Sequence, residues 1–277
     1  MLREKKNQKM HIFCPLGLKK WFLKRFNLMS QQITEGDWWD DFEITKNEDT
    51  SSETTLYNEN QNNSMSSLDS VLLEKNFNTS VSLSDNSINN KNSVFLTEKK
   101  IQVSCVPAQH SSRRGLFDGN RSLWSGWVIR SDDASFYFAG DTGYRAIPEN
   151  CTDEERLNYP FCPFFTQIGK EYGPFDYACI PIGPSNDTNM VTPVHVDPTD
   201  AINIHKDVQS HHSIPIHWGT VANFSTIEIT HDPRMLQQAM KNSGLPLEEF
   251  DVAYIGEVLK IAKEETLKAQ AKKQQLL

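Results

Sequence analysis

Three short runs in this chain have the pattern of a buried strand, and each ends in a loop that carries a side chain able to bind a metal ion. Strands that alternate with helical patterns pack as layers of sheet and helix, so the order of these runs predicts an α/β fold. Open sheets of this class collect functional groups beyond the carboxyl ends of their strands. We therefore expect the three side chains to meet at one edge of a sheet. The runs and the side chains that follow them are 101–106 with His110, 135–139 with Asp141, and 213–216 with His217.

Two further patterns place elements between these runs. Residues 175–181 form a predicted strand that ends shortly before a Gly. Asp197 and Pro198 predict the start of a helix, because Asp can cap a helix and Pro fits its first turn. The apolar spacing extends that helix to about Val208.

Polar composition separates the chain into unequal parts. Residues 45–96 are mostly Asn, Ser, Thr, Asp, Glu and Lys, and such a segment cannot bury enough apolar surface to offset the entropy lost on ordering. We predict a long disordered insertion there. The parts around it are a strand, a helix and a Trp-Trp element in 1–44, a larger domain in 97–260, and a polar helical tail in 261–277.

Charge and cysteine usage exclude several classes of protein. The formal net charge is −8, whereas nucleic-acid recognition needs a concentrated basic face, so we expect no nucleic-acid partner. The five cysteines are odd in number and widely spaced, which argues against a disulfide framework or a zinc finger. No apolar run reaches the roughly 18 residues that span a bilayer, and the first residues lack the apolar core of a signal peptide. We expect a cytoplasmic protein.

The first 26 residues are basic and amphipathic. Lys19, Lys20, Lys24 and Arg25 alternate with aromatic and leucine side chains. Such a segment can lie on an anionic membrane surface, or it can be a short surface helix whose lysines are solvated. We favour the surface helix and keep the membrane contact as the alternative.

Histidine and aspartate are ligands that suit zinc. Alone, each of His110, Asp141 and His217 has an ordinary interpretation, because loop histidines are often structural and an Asp after Gly often belongs to a turn. Together at three strand ends, they form a His/Asp set of the kind that binds zinc. Zinc lowers the pKa of a bound water to about 7 and so provides a nucleophile at neutral pH.

Several sequence motifs resemble those of a known family. They are F-A-G-D-T-G-Y at 138–144, G-P-F-D at 173–176, I-P-I-G at 180–183, H-V-D-P at 195–198 and I-H-W-G-T at 216–220. In these motifs, and in two shorter motifs before residue 40, the chain resembles the metallo-β-lactamase superfamily. Within that superfamily it is similar to the phospholipase D family that hydrolyses N-acyl-phosphatidylethanolamine.

The resemblance implies roles for four residues. His110 would bind the first zinc, Asp141 would bridge the two zincs as the catalytic carboxylate, and His217 would bind the second. His195 would bind substrate and lie outside the metal ligands. It precedes the predicted helix start at Asp197, where backbone N–H groups favour an anion such as a phosphodiester; packing of its ring beside that helix is an equally good interpretation.

One part of the family pattern is absent from this sequence. The family takes four further zinc ligands from an H-x-H-x-D-H motif upstream of the segment equivalent to residues 10–13, and none of the eight histidines here forms that motif. We therefore expect a partial αββα sandwich, mainly its C-terminal half, with at most a weak single-zinc site in place of two zincs. An incomplete gene prediction is the explanation we favour.

The function implied by the resemblance is zinc-dependent hydrolysis of N-acyl-phosphatidylethanolamine to an N-acylethanolamine and a phosphatidic acid. The substrate is a membrane phospholipid, so we expect peripheral contact with an intracellular membrane. The sequence leaves the oligomeric state open, and the resemblance suggests a homodimer. Two alternatives remain. One is another hydrolase of the same superfamily, acting on a lactone or a nucleotide phosphodiester, and the other is a catalytically inactive remnant that binds or dimerises.

Overall fold

The fold is a mixed sheet with helices on one face, seen in a computed structural model that describes residues 10–46, 54–58, 100–148, 151–184, 191–219, 228–254 and 256–259. The strands are β1 (Ile12–Pro15), β2 (Ile33–Gly36), β3 (Asp41–Lys46), β4 (Thr54–Asn58), β5 (Lys100–Val106), β6 (Gly126–Ser131), β7 (Ser135–Phe138), β8 (Phe175–Pro181) and β9 (Ser210–Ile216). The helices are α1 (Lys19–Phe26), α2 (Asp153–Arg156), α3 (Phe164–Tyr172), α4 (Pro198–Asp207) and α5 (His231–Ser243).

Strand direction decides where the loops of this sheet meet. Among the described residues the large sheet has the order β4-β3-β5-β6-β7-β8-β9. Neighbours from β4 to β7 are antiparallel, whereas β7, β8 and β9 run parallel. Two antiparallel steps, through β6, give β5 the direction of β7. The strands β5, β7, β8 and β9 therefore all end at one edge of the sheet, and the predicted α/β class is confirmed.

Three helices cover one face of the large sheet. Phe165 of α3, Ile204 of α4 and Leu236 of α5 are fully buried in one cluster with Tyr137 and Ile180 of the central strands. Full burial of a side chain of this size contributes roughly 1.5–3 kcal/mol, so this layer is a main source of stability. Within the described ranges, every helix is too short or too polar to span a bilayer.

The opposite face of the sheet is only partly covered by described residues. The ring of Phe13, in the small parallel sheet of β1 and β2, lies 5.4 Å from Phe42 and 6.3 Å from Trp127 between ring centres. Farther along the same face, Ile129 and Phe138 are 44% and 41% exposed. A helix-covered sheet with one partly open face is the partial sandwich that the sequence predicts.

One stretch of the predicted insertion is a strand. β4 pairs antiparallel with β3, with Asn58 opposite Phe42 and Thr54 opposite Lys46, so this short part of the insertion is paired with the sheet, and the disorder predicted for most of 45–96 stays a prediction. The local sequence T-T-L-Y-N contains β-branched and aromatic residues that favour a strand, and the composition of the longer segment hides this preference. Residues 45 and 46 belong to β3, whereas 47–53, 59–96 and the tail at 261–277 lie outside the described residues, so the domain boundaries stay predictions.

Buried charges tie the loop after β7 to helix α4. Arg145 pairs with Asp200, and Arg156 of α2 pairs with both Asp197 and Asp200. Asp197 also caps α4 at the predicted position, because its carboxylate accepts a hydrogen bond of 2.9 Å from the N–H of Asp200. The network holds the loop after β7 against the turn before α4, and both segments carry candidate site residues.

Asp200→Ala should lower the free energy of unfolding by about 3–5 kcal/mol, because it leaves the buried guanidinium of Arg145 without its carboxylate. Urea unfolding followed by circular dichroism measures this loss. Glu228→Ala is the control, since it breaks an ion pair with Arg234 whose side chains are 65% and 62% exposed, and such pairs contribute little. Equal losses in the two variants would contradict the prediction.

A buried histidine joins α4 to β9. His205 is 2% exposed; its Nδ1 lies 2.8 Å from Ser213 Oγ and its Nε2 lies 3.7 Å from Glu249 Oε2. Burial lowers the pKa of His205 to about 4, and nearby basic side chains, Lys206 first among them, act in the same direction. The folded chain therefore keeps this ring neutral over a range of pH in which an exposed histidine is protonated.

We expect stability to fall as the pH decreases from 6.5 to about 4, because over this range the unfolded chain binds a proton at His205 that the folded chain does not bind. The full effect corresponds to roughly 3 kcal/mol. Urea unfolding at a series of pH values measures it, and His205→Gln should make the dependence shallower. Identical pH profiles for the two proteins would show that His205 is not responsible.

Candidate functional site

The loops at the common sheet edge bring the four predicted site residues together. His110 follows β5, Asp141 follows β7, His217 directly follows β9, and His195 lies in the turn before α4. His217 Nε2 is 3.2 Å from Asp141 Oδ1. The ring of His195 stacks on His217 with centres 5.2 Å apart and meets His110 edge-on at 5.4 Å. Residues separated by more than 100 positions in sequence thus form one cluster.

Backbone carbonyl groups orient two of these rings. Nδ1 of His217 donates to the carbonyl oxygen of Gly183 at 2.7 Å, and Nδ1 of His110 donates to that of Ser111 at 2.7 Å. The ring of His110 therefore keeps its Nε2 as the nitrogen with a lone pair, whereas Nε2 of His217 faces the carboxylate of Asp141. Nε2 of His110 is shielded from solvent and has no hydrogen-bond partner within the part of the chain that the structure describes. Histidines that bind metals typically have this arrangement.

The backbone turns sharply at the end of β9. His217 has a left-handed conformation, with φ of 60°, and Gly219 has φ of 64°. Few residues with a side chain adopt such angles, and histidine is among those that tolerate them best. Left-handed residues other than glycine concentrate at functional sites. Here the turn brings the ring of His217 beside both Asp141 and Gly183.

Electrostatic interactions couple the members of the cluster. The hydrogen bond from His217 holds the pKa of Asp141 below its ordinary value, and the same bond raises the pKa of His217. Burial lowers the pKa of His195, and the neighbouring His217 and His110 act in the same direction. Asp141 is therefore ionised at neutral pH and available as an anionic ligand.

The donor chemistry fits a zinc ion in part. Asp141 Oδ1 and His217 Nε2 are 3.2 Å apart, and two ligands of one tetrahedral zinc lie roughly 3.3 Å apart. His110 adds an Nε2 without a partner among the described residues. Within the described ranges, however, no three His, Cys, Asp or Glu side chains form a group that could hold a metal ion. The residues fit two neighbouring positions of a metal site, and their assignment as ligands stays a prediction.

Gln109 and Thr142 hold the site loops to one another. The N–H of Gln109 donates to Thr142 Oγ1 at 2.9 Å, and its side-chain Nε2 donates to the carbonyl oxygen of Pro193 at 2.9 Å. The N–H of Gly143 donates to the carbonyl oxygen of Gln109 at 2.8 Å. Sequence analysis did not single out Gln109 or Thr142. The sequence signal that could have identified them is their position next to the candidate ligands His110 and Asp141.

Close packing at Gly143 fixes the position of the turn before α4. A Cβ atom at Gly143 would lie 2.6 Å from the carbonyl oxygen of Pro193 and 2.7 Å from that of Thr192. No side chain fits at these distances, so only glycine allows the two loops to approach. The turn at 192–193 leads directly to His195.

The structure changes the argument for His195. The N-terminus of α4 is occupied by side chains of the same chain, because Asp197 accepts from the N–H of Asp200 and both carboxylates pair with Arg156. An external anion would meet these carboxylates, so attraction to the helix N-terminus does not explain a phosphodiester contact. The location of His195 against the other two histidine rings is the better reason to place it in the site.

An apolar cavity of about 530 Å³ opens beside His110. Trp38 and Trp124 form one wall, and the indole Nε1 of Trp38 donates to the carbonyl oxygen of Trp124 at 2.7 Å. Phe161 and Phe164 contribute to the remaining wall. A cavity that joins an apolar wall to a few polar groups is typical of a small-molecule binding site.

Comparison with known families identifies the domain. A family model described as a beta-lactamase superfamily domain matches residues 66–218, more than half of the chain. The chain belongs to the β-lactamase superfamily. The matched range of this superfamily domain contains all four residues of the cluster and confirms the resemblance found in the sequence.

Two relatives of this β-lactamase superfamily domain are named for a lipid reaction. An N-acyl-phosphatidylethanolamine-hydrolyzing phospholipase D 1 of Caenorhabditis elegans is 41% identical over 136 residues, which is 49% of this chain and 33% of that protein. A mitochondrial enzyme of the same name in Saccharomyces cerevisiae is 29% identical over 120 residues, which is 43% of this chain and 22% of that one. The match therefore spans a third or less of either relative.

Solved structures include a metallo hydrolase from the archaeon Ignicoccus hospitalis. It is 24% identical to this superfamily domain, with a TM-score of 0.38 over 57% of this chain and 52% of that chain.

Gly143→Ala should displace the turn that carries His195, because the new methyl group meets the carbonyl oxygens of Thr192 and Pro193. We expect the ring signals of His195 and His110 to shift in NMR spectra, with a loss of about 1–3 kcal/mol in unfolding free energy. Gly119→Ala is the matched control, since a Cβ there meets no atom within 4 Å. Unchanged ring signals in the Gly143 variant would refute this role.

Proposed function

We propose that this chain supplies part of the active site of a zinc-dependent hydrolase of the β-lactamase superfamily. The observation that carries the proposal is the cluster of His110, Asp141 and His217 at one sheet edge, with two imidazoles fixed through Nδ1 by backbone carbonyls. Asp141 and His217 would hold a zinc ion together, and His110 would contribute its Nε2. A zinc ion supplies Lewis-acid charge that stabilises a developing oxyanion and makes water more acidic.

The chain's own residues orient the reacting groups. The carbonyl oxygen of Gly183 keeps the ring of His217 in one orientation, so its Nε2 stays beside Asp141. His195 faces the rings of both other histidines, and a substrate group held by the cluster would lie within reach of it. We therefore propose that His195 binds substrate, as the sequence analysis predicted.

The proposed substrate is the membrane phospholipid N-acyl-phosphatidylethanolamine. Two observations support it: the worm and yeast relatives carry the name of this reaction, and the cavity beside His110 is walled by aromatic rings that suit an acyl chain. Water would cleave the bond between phosphorus and the ethanolamine oxygen, which gives an N-acylethanolamine and a phosphatidic acid. A cytoplasmic location at a membrane and a homodimer stay predictions from the sequence.

A non-catalytic role is the second candidate. Within the part of the chain that the structure describes, no group of three side chains could hold a metal ion. A superfamily domain with weak metal affinity could still bind lipid or pair with another chain through the same cavity and sheet.

Zinc binding tests the ligand assignment. We expect the full chain to retain about one zinc per molecule, and the triple variant His110→Asn, Asp141→Asn, His217→Asn to retain none. Elemental analysis after equilibrium dialysis measures both. His212→Gln is the control, because His212 lies near the start of β9, where its ring stacks on Tyr177, far from the strand end. Equal zinc in the triple variant and the parent chain would overturn the assignment.

Hydrolysis assays separate the remaining possibilities. Vesicles that contain N-acyl-phosphatidylethanolamine are incubated with the zinc-loaded chain, and released N-acylethanolamine is measured by mass spectrometry. If the parent chain releases N-acylethanolamine and the triple variant does not, the result supports the proposal. Cleavage of a soluble aryl phosphodiester without lipid cleavage indicates another hydrolase of the superfamily, and no zinc with no cleavage indicates the non-catalytic role.

A further inference from the structure

A basic and apolar surface adjoins the candidate site. It consists of Leu16, helix α1 and the loop at 111–122, and we call it the α1–loop surface. Leu116 and Phe117 at the tip of the loop are 80% and 85% exposed, and Trp21 of α1 is 53% exposed. Exposed apolar residues are ordinary when they are scattered singly. Their concentration on two touching segments requires an explanation.

Direct backbone contacts join the two segments. The N–H of Leu123, just after the loop, donates to the carbonyl oxygen of Leu16 at 2.8 Å. A Cβ atom at Gly17 would lie 2.8 Å from the carbonyl oxygen of Arg121. The carboxylate of Glu35 accepts from the N–H of Gly17 at 2.8 Å and so fixes the approach to α1. The start of α1 and the base of the loop therefore form one continuous surface.

Hydrogen bonds within the loop hold its apolar tip outward. The carboxylate of Asp118 accepts from the N–H of Gly115 at 2.7 Å. At the base, the N–H of Asn120 donates to the carbonyl oxygen of Ser112 at 2.6 Å. The two apolar residues between Gly115 and Asp118 are thus presented to solvent by a defined turn.

The surface is positively charged on an acidic protein. Residues 16–26 and 111–122 contain seven Lys and Arg and only one acidic residue, Asp118, whereas the whole chain has a net charge of −8. Each basic side chain close to an anionic bilayer strengthens binding by about fivefold. The exposed members are Lys20, Lys24, Arg25, Arg113, Arg114 and Arg121.

Helix α1 has the character of an interfacial helix. The rings of Trp21, Phe22 and Phe26 contact one another, with centres 5.1–5.9 Å apart. No residue of α1 is buried by the part of the chain that the structure describes. A short helix with an aromatic cluster and basic flanks can lie in the plane of a membrane surface with its aromatic side inward.

We propose that the α1–loop surface docks on an anionic phospholipid bilayer, with Leu116 and Phe117 inserted below the headgroups and the basic side chains on lipid phosphates. Nucleic acid would match the charges but would leave the apolar tip in water, so a bilayer explains both features. The loop starts at the residue after His110 and ends two residues before Trp124, which lines the cavity. The surface therefore leads from the bilayer to the candidate site. This inference rests on the proposed lipid function and states how the site reaches its substrate.

Vesicle flotation tests the docking without any substrate lipid. The full chain is mixed with vesicles of phosphatidylcholine alone, or with roughly one-third phosphatidylserine, and the bound fraction is measured over a range of lipid and salt concentrations. Because neither vesicle contains N-acylated lipid, docking can succeed where hydrolysis fails, and hydrolysis of detergent-dispersed substrate can succeed where docking fails.

Two double variants separate the apolar and the charged contributions. Leu116→Ser with Phe117→Ser should weaken binding about tenfold or more. Arg113→Gln with Arg114→Gln should weaken binding to anionic vesicles by about fivefold per charge and reduce its salt dependence. The matched control is Tyr254→Ser with Val258→Ser, whose parent side chains are 84% and 82% exposed, and it should bind as the unchanged chain does.

Three outcomes overturn the proposal. They are failure of the unchanged chain to bind anionic vesicles, an equal loss in the control variant, and unaltered binding in both test variants. If the Leu116 and Phe117 variant instead converts a dimer to a monomer in sedimentation experiments, with vesicle binding unchanged, the surface is an interface between copies of this chain.

Discussion

The common direction of four strands is the constraint on which the rest of this structure depends. Because β5, β7, β8 and β9 end at the same sheet edge, the loops after them share a small volume. Helices on one face hold the sheet in place, and Gln109 then sets the spacing of the loops through bonds to Thr142 and Pro193. Strand order therefore brings the residues of the cluster together, and side-chain hydrogen bonds then set their spacing.

The two halves of the candidate site suit different parts of one molecule. Asp141 and the three histidines form a polar cluster on one side, and the cavity walled by Trp38 and Trp124 lies on the other. A molecule that fills both must have a polar or charged centre joined to a long apolar group. The basic charges on the α1–loop surface fit the phosphate layer from which such a molecule would come.

Local signals account for what the sequence predicts well. The strand at Phe175–Pro181 and the start of α4 after Asp197 match their predicted positions, because an apolar run and an Asp-Pro cap act within a few residues. The contact between Gln109 and Pro193 spans 84 positions, and the pairing of Arg145 with Asp200 spans 55. Such contacts leave no periodic pattern in a single sequence. The strand at Thr54–Asn58 was missed for the opposite reason, since average composition conceals a short local preference.

The left-handed backbone at His217 places two separate demands on one position. The residue must supply an imidazole to Asp141 and must also accept a φ of 60°. Asparagine meets the second demand without the first, and a β-branched residue meets neither. His110 is not among the described residues with positive φ, so this backbone restriction does not apply at position 110. In a library of random substitutions, position 217 would therefore tolerate fewer amino acids than position 110. The difference would measure how strongly the backbone conformation restricts the choice of residue at the site.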